Sequence, residues 1–209
     1  MFNIFRRIDT GGMTLNGQEI RHALYPGPVR QYLKDLSETV DFLAATDHSK
    51  KVQRMADRDC VLRLLAFYII PWEQYAANDL DGFLVSAMQM LNKMTRSKLE
   101  ELKNTFCRTM KVAFDIFGND AFHKRFDTKD GRNPVNKALL EIWCVGLARC
   151  PEEDLNNLIR RKQRIRNSAM ELLQDDQEFE IAISASTGVP QRVKKRFGEI
   201  NTFIAKCLQ

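Results

Sequence analysis

Apolar residues recur along almost the whole chain with the spacing that places them on one face of an α-helix. The clearest stripe consists of Val29, Tyr32, Leu33, Leu36, Val40 and Leu43. Residues 57–70 are apolar nearly all round, which is typical of a helix at the centre of a bundle. The same period predicts further helices over 79–93, 97–117, 134–150 and 176–184, a long helix that begins at Pro151, and a basic helix at the C-terminal end.

Glycine and proline mark where several of these helices begin and end. Gly118 is expected to follow the last turn of the helix over 97–117 as its C′ residue. Pro134 is expected to begin the next helix, after a polar, turn-rich loop, and Pro151 has the position of a first helical residue.

These elements predict an all-α fold, a compact bundle of about eight or nine helices. A short apolar run over residues 2–8, interpreted as a strand or loop, leads into a Gly-Gly turn. Asn16 followed by Glu19 has the spacing of a capping box, which predicts that the first helix begins there. Residues 1–24 hold this turn and first helix, and residues 25–209 form the rest of a single helical domain.

The composition predicts a soluble, globular protein. The chain has 209 residues, of which 44% are hydrophobic and 28% charged, enough for one substantial domain or two small ones. No apolar run reaches the length of a membrane span, and the N-terminus lacks the apolar core of a signal peptide. Five scattered cysteines without a C-x-x-C pair argue against a zinc site and for a reduced, cytoplasmic setting.

The turn over residues 9–12 is the first candidate site. Backbone N–H groups in a Gly-Gly turn ahead of a helix can cradle a phosphate. The candidate ligand-binding residues are Arg7, Asp9, Thr10, Gly11, Gly12 and Arg21. The alternative is a structural turn that docks the first helix, and the negative charge of Asp9 favours it over an anion site.

Two basic runs form the second candidate site, a nucleic-acid surface. The net charge of +5 permits such a partner without demanding it. The candidate contacts are Arg160, Arg161, Lys162, Arg164, Arg166, Lys194 and Lys195. The alternative is a solvated helix face whose charges pair in part with the acidic residues at 152–154.

Other residues with chemical potential have structural explanations. Arg58 and Arg63 lie in an apolar helix and are expected to form ion pairs, because a buried arginine needs a counter-charge. The alternative is an arginine that faces a nucleotide site in another domain. Cys60 and Cys144 are expected in the core, and His123, beside two basic residues, is in a poor catalytic setting.

The N-terminal residues also carry a longer pattern, F-x-R-I-D-T-G-G-x-x-L-x-x-x-E-I-R. It is formed by Phe5, Arg7, Ile8, Asp9, Thr10, Gly11, Gly12, Leu15, Glu19, Ile20 and Arg21. This pattern resembles the signature of the GmrSD-type family, which has a ParB-like N-terminal domain and belongs to modification-dependent restriction and phage-defence systems. The family's usual asparagine is Asp9 here, which puts an anion contact at that position in doubt.

Later segments resemble the same family in the same order. They are the D-x-x-x-v-L-R helix over 57–67, the helix over 80–88, the F-G-x-x-A-F segment over 114–124 and the closing v-x-x-R-F over 193–197. The last of these implies that Arg196 packs its stem inward beside Phe197.

The family's catalytic motif, D-G-Q-Q-R, does not occur in the sequence, and the three histidines are too scattered for an HNH nuclease. The resemblance therefore implies the helical, C-terminal half of such a protein. Three explanations of this half are open: a split subunit, a remnant and a miscalled gene start. It implies no cofactor in this chain, with a nucleotide and Mg²⁺ only in a complete assembly. The implied partners are a ParB-like half on a separate chain, DNA and a second copy of the chain.

Three functions remain open. The first is a structural, partner- or DNA-contacting module without activity of its own. The second is one subunit of a split nucleotide-dependent nuclease. The third is a stand-alone nucleic-acid-binding helical protein.

Overall fold

The computed structural model describes residues 15–46, 55–129, 131 and 133–209, and in these ranges the chain is all-α, as predicted. The described residues form eleven α-helices and no strand; an isolated antiparallel bridge joins His123 and Val135. The helices are α1 (Gly17–Leu24), α2 (Val29–Ser37), α3 (Val40–Ala45), α4 (Ala56–Ile69), α5 (Leu80–Lys93), α6 (Arg96–Phe117), α7 (Lys137–Ala148), α8 (Glu152–Arg160), α9 (Lys162–Asp175), α10 (Gln177–Ser184) and α11 (Pro190–Leu208). Short 3₁₀ turns cover Trp72–Gln74 and Gly118–Asp120.

The predicted count of about eight or nine helices is too low, because two predicted helices are each divided in two. The first divides between α2 and α3, where Thr39 leaves the helical conformation and its Oγ1 accepts from the N–H of Phe42 at 3.4 Å. The second divides between α8 and α9 at Arg161 (φ −94°, ψ 15°). There the Arg161 guanidinium donates to the carbonyl of Cys207 at 2.7 Å, which ties the break to the end of α11.

The structure confirms two of the predicted helix caps and shifts two predicted helix starts. Asn16 and Glu19 form the predicted capping box, and Gly118 follows α6 with a φ of 61°. The next helix does not begin at Pro134: α7 begins at Lys137, because the side chain of Asn136 caps it. Pro151 is the N-cap of α8 rather than its first residue. The strand or loop predicted over residues 2–8 lies outside the described residues.

The core is centred on α4 and α7. Residues 60–62 and 64–67 of α4 are all buried, as predicted for a central helix, and α7 packs against α4, α6 and α11. Phe67 of α4 lies at the middle of an aromatic group, with ring centroids 4.8 Å from Phe83 and 5.0 Å from Phe197. Helices far apart in sequence are therefore joined by one continuous apolar core.

Among the described residues, no helix has both the length and the apolar character that crossing a bilayer would need.

Gly27 gives a direct test of this packing. Its φ is +143°, and a Cβ there would overlap the amide of Asn92. That amide accepts from the N–H of Val29 at 3.0 Å, at the start of α2. We expect Gly27→Ala to lower the free energy of unfolding by about 1–3 kcal/mol, because it strains the backbone and displaces this cap.

The matched control is Gly198→Ala, in the interior of α11, where an added Cβ meets nothing within 4 Å. It is expected to raise the free energy of unfolding by about 0.5–1 kcal/mol, since alanine is the better helix former. Urea denaturation measures both changes. Effects of the same sign would contradict the assigned backbone conformation at Gly27.

Candidate functional site

Arg21 is held by three protein groups. Its side chain is 2% exposed, and it donates to Asp59 and Asp81, both at 2.6 Å. Its Nε donates to Gln18 at 3.1 Å. Because Arg21 is buried and two carboxylates balance its charge, the side chain is not placed to bind an external anion.

Asp59 is the carboxylate that joins Arg21 to a second cation. Lys137, from the start of α7, donates to its other oxygen. Burial acts to raise the pKa of Asp59, but Lys137, Arg63 and Arg21 outweigh it, and the pKa lies below its ordinary value. Asp59 therefore remains ionised at neutral pH in spite of its burial.

Glu141 and Arg196 are the two most enclosed charged residues in the described part of the chain. Glu141 is 0% exposed and lies in α7 among apolar neighbours. One oxygen accepts from Arg63 of α4 and the other accepts from Arg196 of α11 at 2.9 Å. Arg196 also donates to the carbonyl of Thr187 at 2.6 Å. A carboxylate buried this deeply requires such partners.

These two groups adjoin, because Asp59 and Arg63 lie one turn apart on α4. Together they form a set of side chains that we call the ionic cluster: Arg21, Asp59, Asp81, Lys137, Arg63, Glu141 and Arg196. The cluster joins α1, α4, α5, α7 and α11. Its charges are directed at one another rather than at a substrate space.

The predicted site residues are thereby divided. Arg7, Asp9, Thr10, Gly11 and Gly12 lie outside the described residues, and Arg21 is committed to the ionic cluster. The expectation of a structural ion pair is confirmed for Arg63, whereas Arg58 is half-buried and does not belong to the cluster.

Arg196 packs inward as expected. Its guanidinium carbon lies 5.5 Å from the ring centroid of Phe197 and 5.6 Å from that of Phe67. The side chain is 0% exposed, so its stem and charge both belong to the interior.

The first basic run divides into structural and surface cations. Arg161 donates to the Cys207 carbonyl and Arg166 donates to the Ile116 carbonyl, so these two side chains cap the ends of α11 and α6. The other three cations of the run are exposed: Arg160, Lys162 and Arg164. We call these three residues the basic surface.

The basic surface does not form ion pairs with the acidic residues at 152–154, which the alternative interpretation of this run required. Glu152 pairs instead with Arg108 at 3.5 Å. No ion pair joins Arg160, Lys162 or Arg164 to a carboxylate of the described residues. All three charges are therefore available to an external anion.

The second basic run is separate from the first. Lys195 pairs with Asp176 at 2.6 Å and with Glu199 at 3.4 Å, which leaves Lys194 exposed. Lys194 lies near the start of α11, whereas Arg161 contacts its end at Cys207. At a helical rise of about 1.5 Å per residue these points are about 20 Å apart. The two runs do not form one patch.

Two of the cysteines lie in the core. Cys60 and Cys144 are both 0% exposed, as expected of core residues, and burial raises the pKa of Cys144. Burial also raises the pKa of Cys207. Among the described residues, no cluster of His, Cys, Asp and Glu side chains could hold a metal ion.

Sequence reasoning missed Glu141 and Lys137. The signal for Glu141 was its position as the lone acid in the apolar run Ala-Leu-Leu-Glu-Ile-Trp-Cys-Val. A charge in such a setting needs a buried partner. For Lys137 there was no comparable signal, since it follows a loop and lies 78 residues from Asp59.

The chain matches no family model, no curated protein and no solved structure. The described residues have two features that bear on function. They are the paired ionic cluster in the interior and the three exposed cations of the basic surface.

Proposed function

We propose that the chain is the helical region of a GmrSD-like restriction or phage-defence protein. In this proposal it is a structural module that contacts a ParB-like half and DNA, and that half supplies the D-G-Q-Q-R motif, the nucleotide and Mg²⁺. One observation carries the proposal: three segments with the family pattern each contribute an arginine to the ionic cluster. These are Arg21, Arg63 and Arg196.

The pairing of these arginines favours a structural role for the residues of the family pattern. Asp59 lies 38 residues from Arg21, and Glu141 lies 78 residues from Arg63, so the segments meet only in the folded chain. Burying charges costs free energy unless the geometry supplies every partner. Segments that need one another in this way are expected to recur together in proteins of one architecture.

The proposal assigns partner contact to the N-terminal segment. Phe2, Ile4 and Phe5 form an apolar run a few residues ahead of the Gly-Gly pair in the sequence. Large apolar side chains in such a segment suit a protein interface. In the alternative form of this proposal, the chain is one subunit of a split nuclease. The ParB-like half on another chain then completes the catalytic assembly.

A second function, nucleic-acid contact, is favoured by the basic surface. Arg160, Lys162 and Arg164 are exposed without carboxylate partners among the described residues. Cations of this kind bind phosphates without sequence preference. DNA contact by the basic surface is compatible with the module and would also serve a stand-alone binding protein.

Partner contact is tested by searching the reading frames next to its gene for a D-G-Q-Q-R half and co-expressing the chain with the protein found. We expect a complex on size-exclusion chromatography with light scattering, and nucleotide hydrolysis only when both parts are present. The double variant Phe2→Ala with Phe5→Ala should weaken the complex by ten-fold or more, about 1.4 kcal/mol or more. Its control is Val40→Ala, at a side chain 81% exposed on α3.

The control should leave the complex unchanged, because Val40 does not belong to the segment to which the proposal assigns partner contact. Hydrolysis of nucleotide by the purified chain alone would overturn the proposal. So would the absence of any complex with a D-G-Q-Q-R half.

DNA contact is tested with Arg160→Glu combined with Arg164→Glu. Fluorescence anisotropy with a labelled duplex should show wild-type affinity that falls with salt, and the double variant should reduce the slope of log K against log[salt] by about 2. The charge-matched control is Lys98→Glu with Lys111→Glu, both exposed on α6. If both double variants lose the same affinity, net charge rather than the basic surface is responsible.

A further inference from the structure

A cavity of about 220 Å³ lies where α6 ends, bordered by α7, α9, α10 and α11. We call it the α6-end cavity. Its volume corresponds to roughly seven water molecules at about 30 Å³ each. Pockets for drug-sized ligands measure roughly 300–1,000 Å³. The space therefore suits a molecule with a single ring.

The floor of the α6-end cavity is aromatic and aliphatic. Trp143 and Leu139 come from α7, Phe179 from α10 and Ile200 from α11, and all four are buried. The Trp143 ring lies 4.8 Å from that of Phe117, centroid to centroid, at an angle of 59°. Such a floor favours a flat apolar group, because aromatic rings pack well at tilted and edge-on angles.

The rim of the cavity is polar and more exposed than the floor. Gln163 and Arg166 reach it from α9, and Arg125 reaches it from the loop after α6. Arg166 is anchored by its Nε, which donates to the carbonyl of Ile116 in the last turn of α6. A guanidinium fixed through one nitrogen keeps its other N–H groups for a ligand.

The rim carries a surplus positive charge. Arg125 is compensated by Asp120, with 3.6 Å between Nε and Oδ2, and it donates to the Thr128 carbonyl at 2.9 Å. Arg166 has a carbonyl partner, and no ion pair joins it to a carboxylate of the described residues. One anionic group would balance Arg166, and a planar carboxylate matches its geometry.

One residue of the cavity lining is held in an unusual backbone conformation. Phe122 has a φ of 62°, in the left-handed region that a bulky side chain rarely adopts. The bridge between His123 and Val135 fixes the chain just after it. Nδ1 of His123 contacts the Asn133 carbonyl, which can only accept, so this nitrogen carries the proton. Strain kept at the wall of a cavity is typical of binding sites.

We infer that the α6-end cavity binds a small aromatic monocarboxylic acid. The ring lies on the floor against Trp143, and the carboxylate accepts from Arg166 at the rim. This site goes beyond the proposed function, since it involves neither the N-terminal segment nor the basic surface.

The probe is 3-phenylpropionate, with 3-phenylpropanamide as its neutral counterpart of the same shape. Isothermal titration calorimetry on the full chain should show one acid molecule bound per chain. The amide should bind about ten-fold or more weakly, because it lacks the charge-assisted hydrogen bond to Arg166. Acid that binds no better than amide would overturn the assignment of the carboxylate.

Two variants locate the site. Arg166→Met should remove the preference for acid over amide while the ring still binds. Its control, Arg149→Met, changes an exposed arginine outside the cavity and should keep the preference. Ala169→Leu adds bulk to the lining and should abolish binding of both probes.

Circular dichroism and thermal unfolding establish that each variant is folded. Because Arg166 also caps α6, loss of folding in Arg166→Met would leave Ala169→Leu as the deciding variant. No acid binding at millimolar concentration, or full binding by a folded Ala169→Leu variant, would overturn the inference. Neither result would bear on partner contact or DNA contact.

Discussion

The enclosure of Glu141 is the constraint on which the rest of the structure depends. A carboxylate with no solvent access is tolerated only where cations and hydrogen bonds replace its hydration. Arg63 and Arg196 meet this need from α4 and α11, so the three helices have one relative position that satisfies the charge. The tilted contact between the rings of Phe67 and Phe197 also joins α4 to α11. Packing and charge pairing thus select the same arrangement.

The ionic cluster also divides the charges of the protein between two roles. Three arginines of the segments that resemble the family pattern are buried and paired in the interior: Arg21, Arg63 and Arg196. The three cations of the basic surface come from the α8–α9 junction, where Arg161 donates to the Cys207 carbonyl at the end of α11. The break that divides one predicted helix into two is therefore what presents the basic surface. The interior charges are paired with one another, whereas the three charges of the basic surface have no carboxylate partner among the described residues.

Local sequence signals predicted the elements, and distant contacts decided what the sequence could not predict. The capping box at Asn16 and the end of α6 at Gly118 depend on neighbouring residues, so both were predictable. The helix breaks at Thr39 and Arg161 leave no mark in the apolar period of the sequence. The second break depends on the Cys207 carbonyl, 46 residues away. Arg63 was predicted to need a partner, but which partner depends on how α7 folds back on α4. The α6-end cavity draws on five helices, and no single segment predicts it.

A double-mutant cycle between Glu141 and Arg196 tests the central claim most directly. Glu141→Gln, Arg196→Met and the double variant would each be unfolded in urea under identical conditions. The two single changes should cost about 3–5 kcal/mol each, because each leaves buried charge without its partner. The double variant should cost less than their sum, with a coupling free energy of at least about 1.5 kcal/mol. Additive losses, with coupling near zero, would contradict the account that this ion pair determines how α7 and α11 are placed.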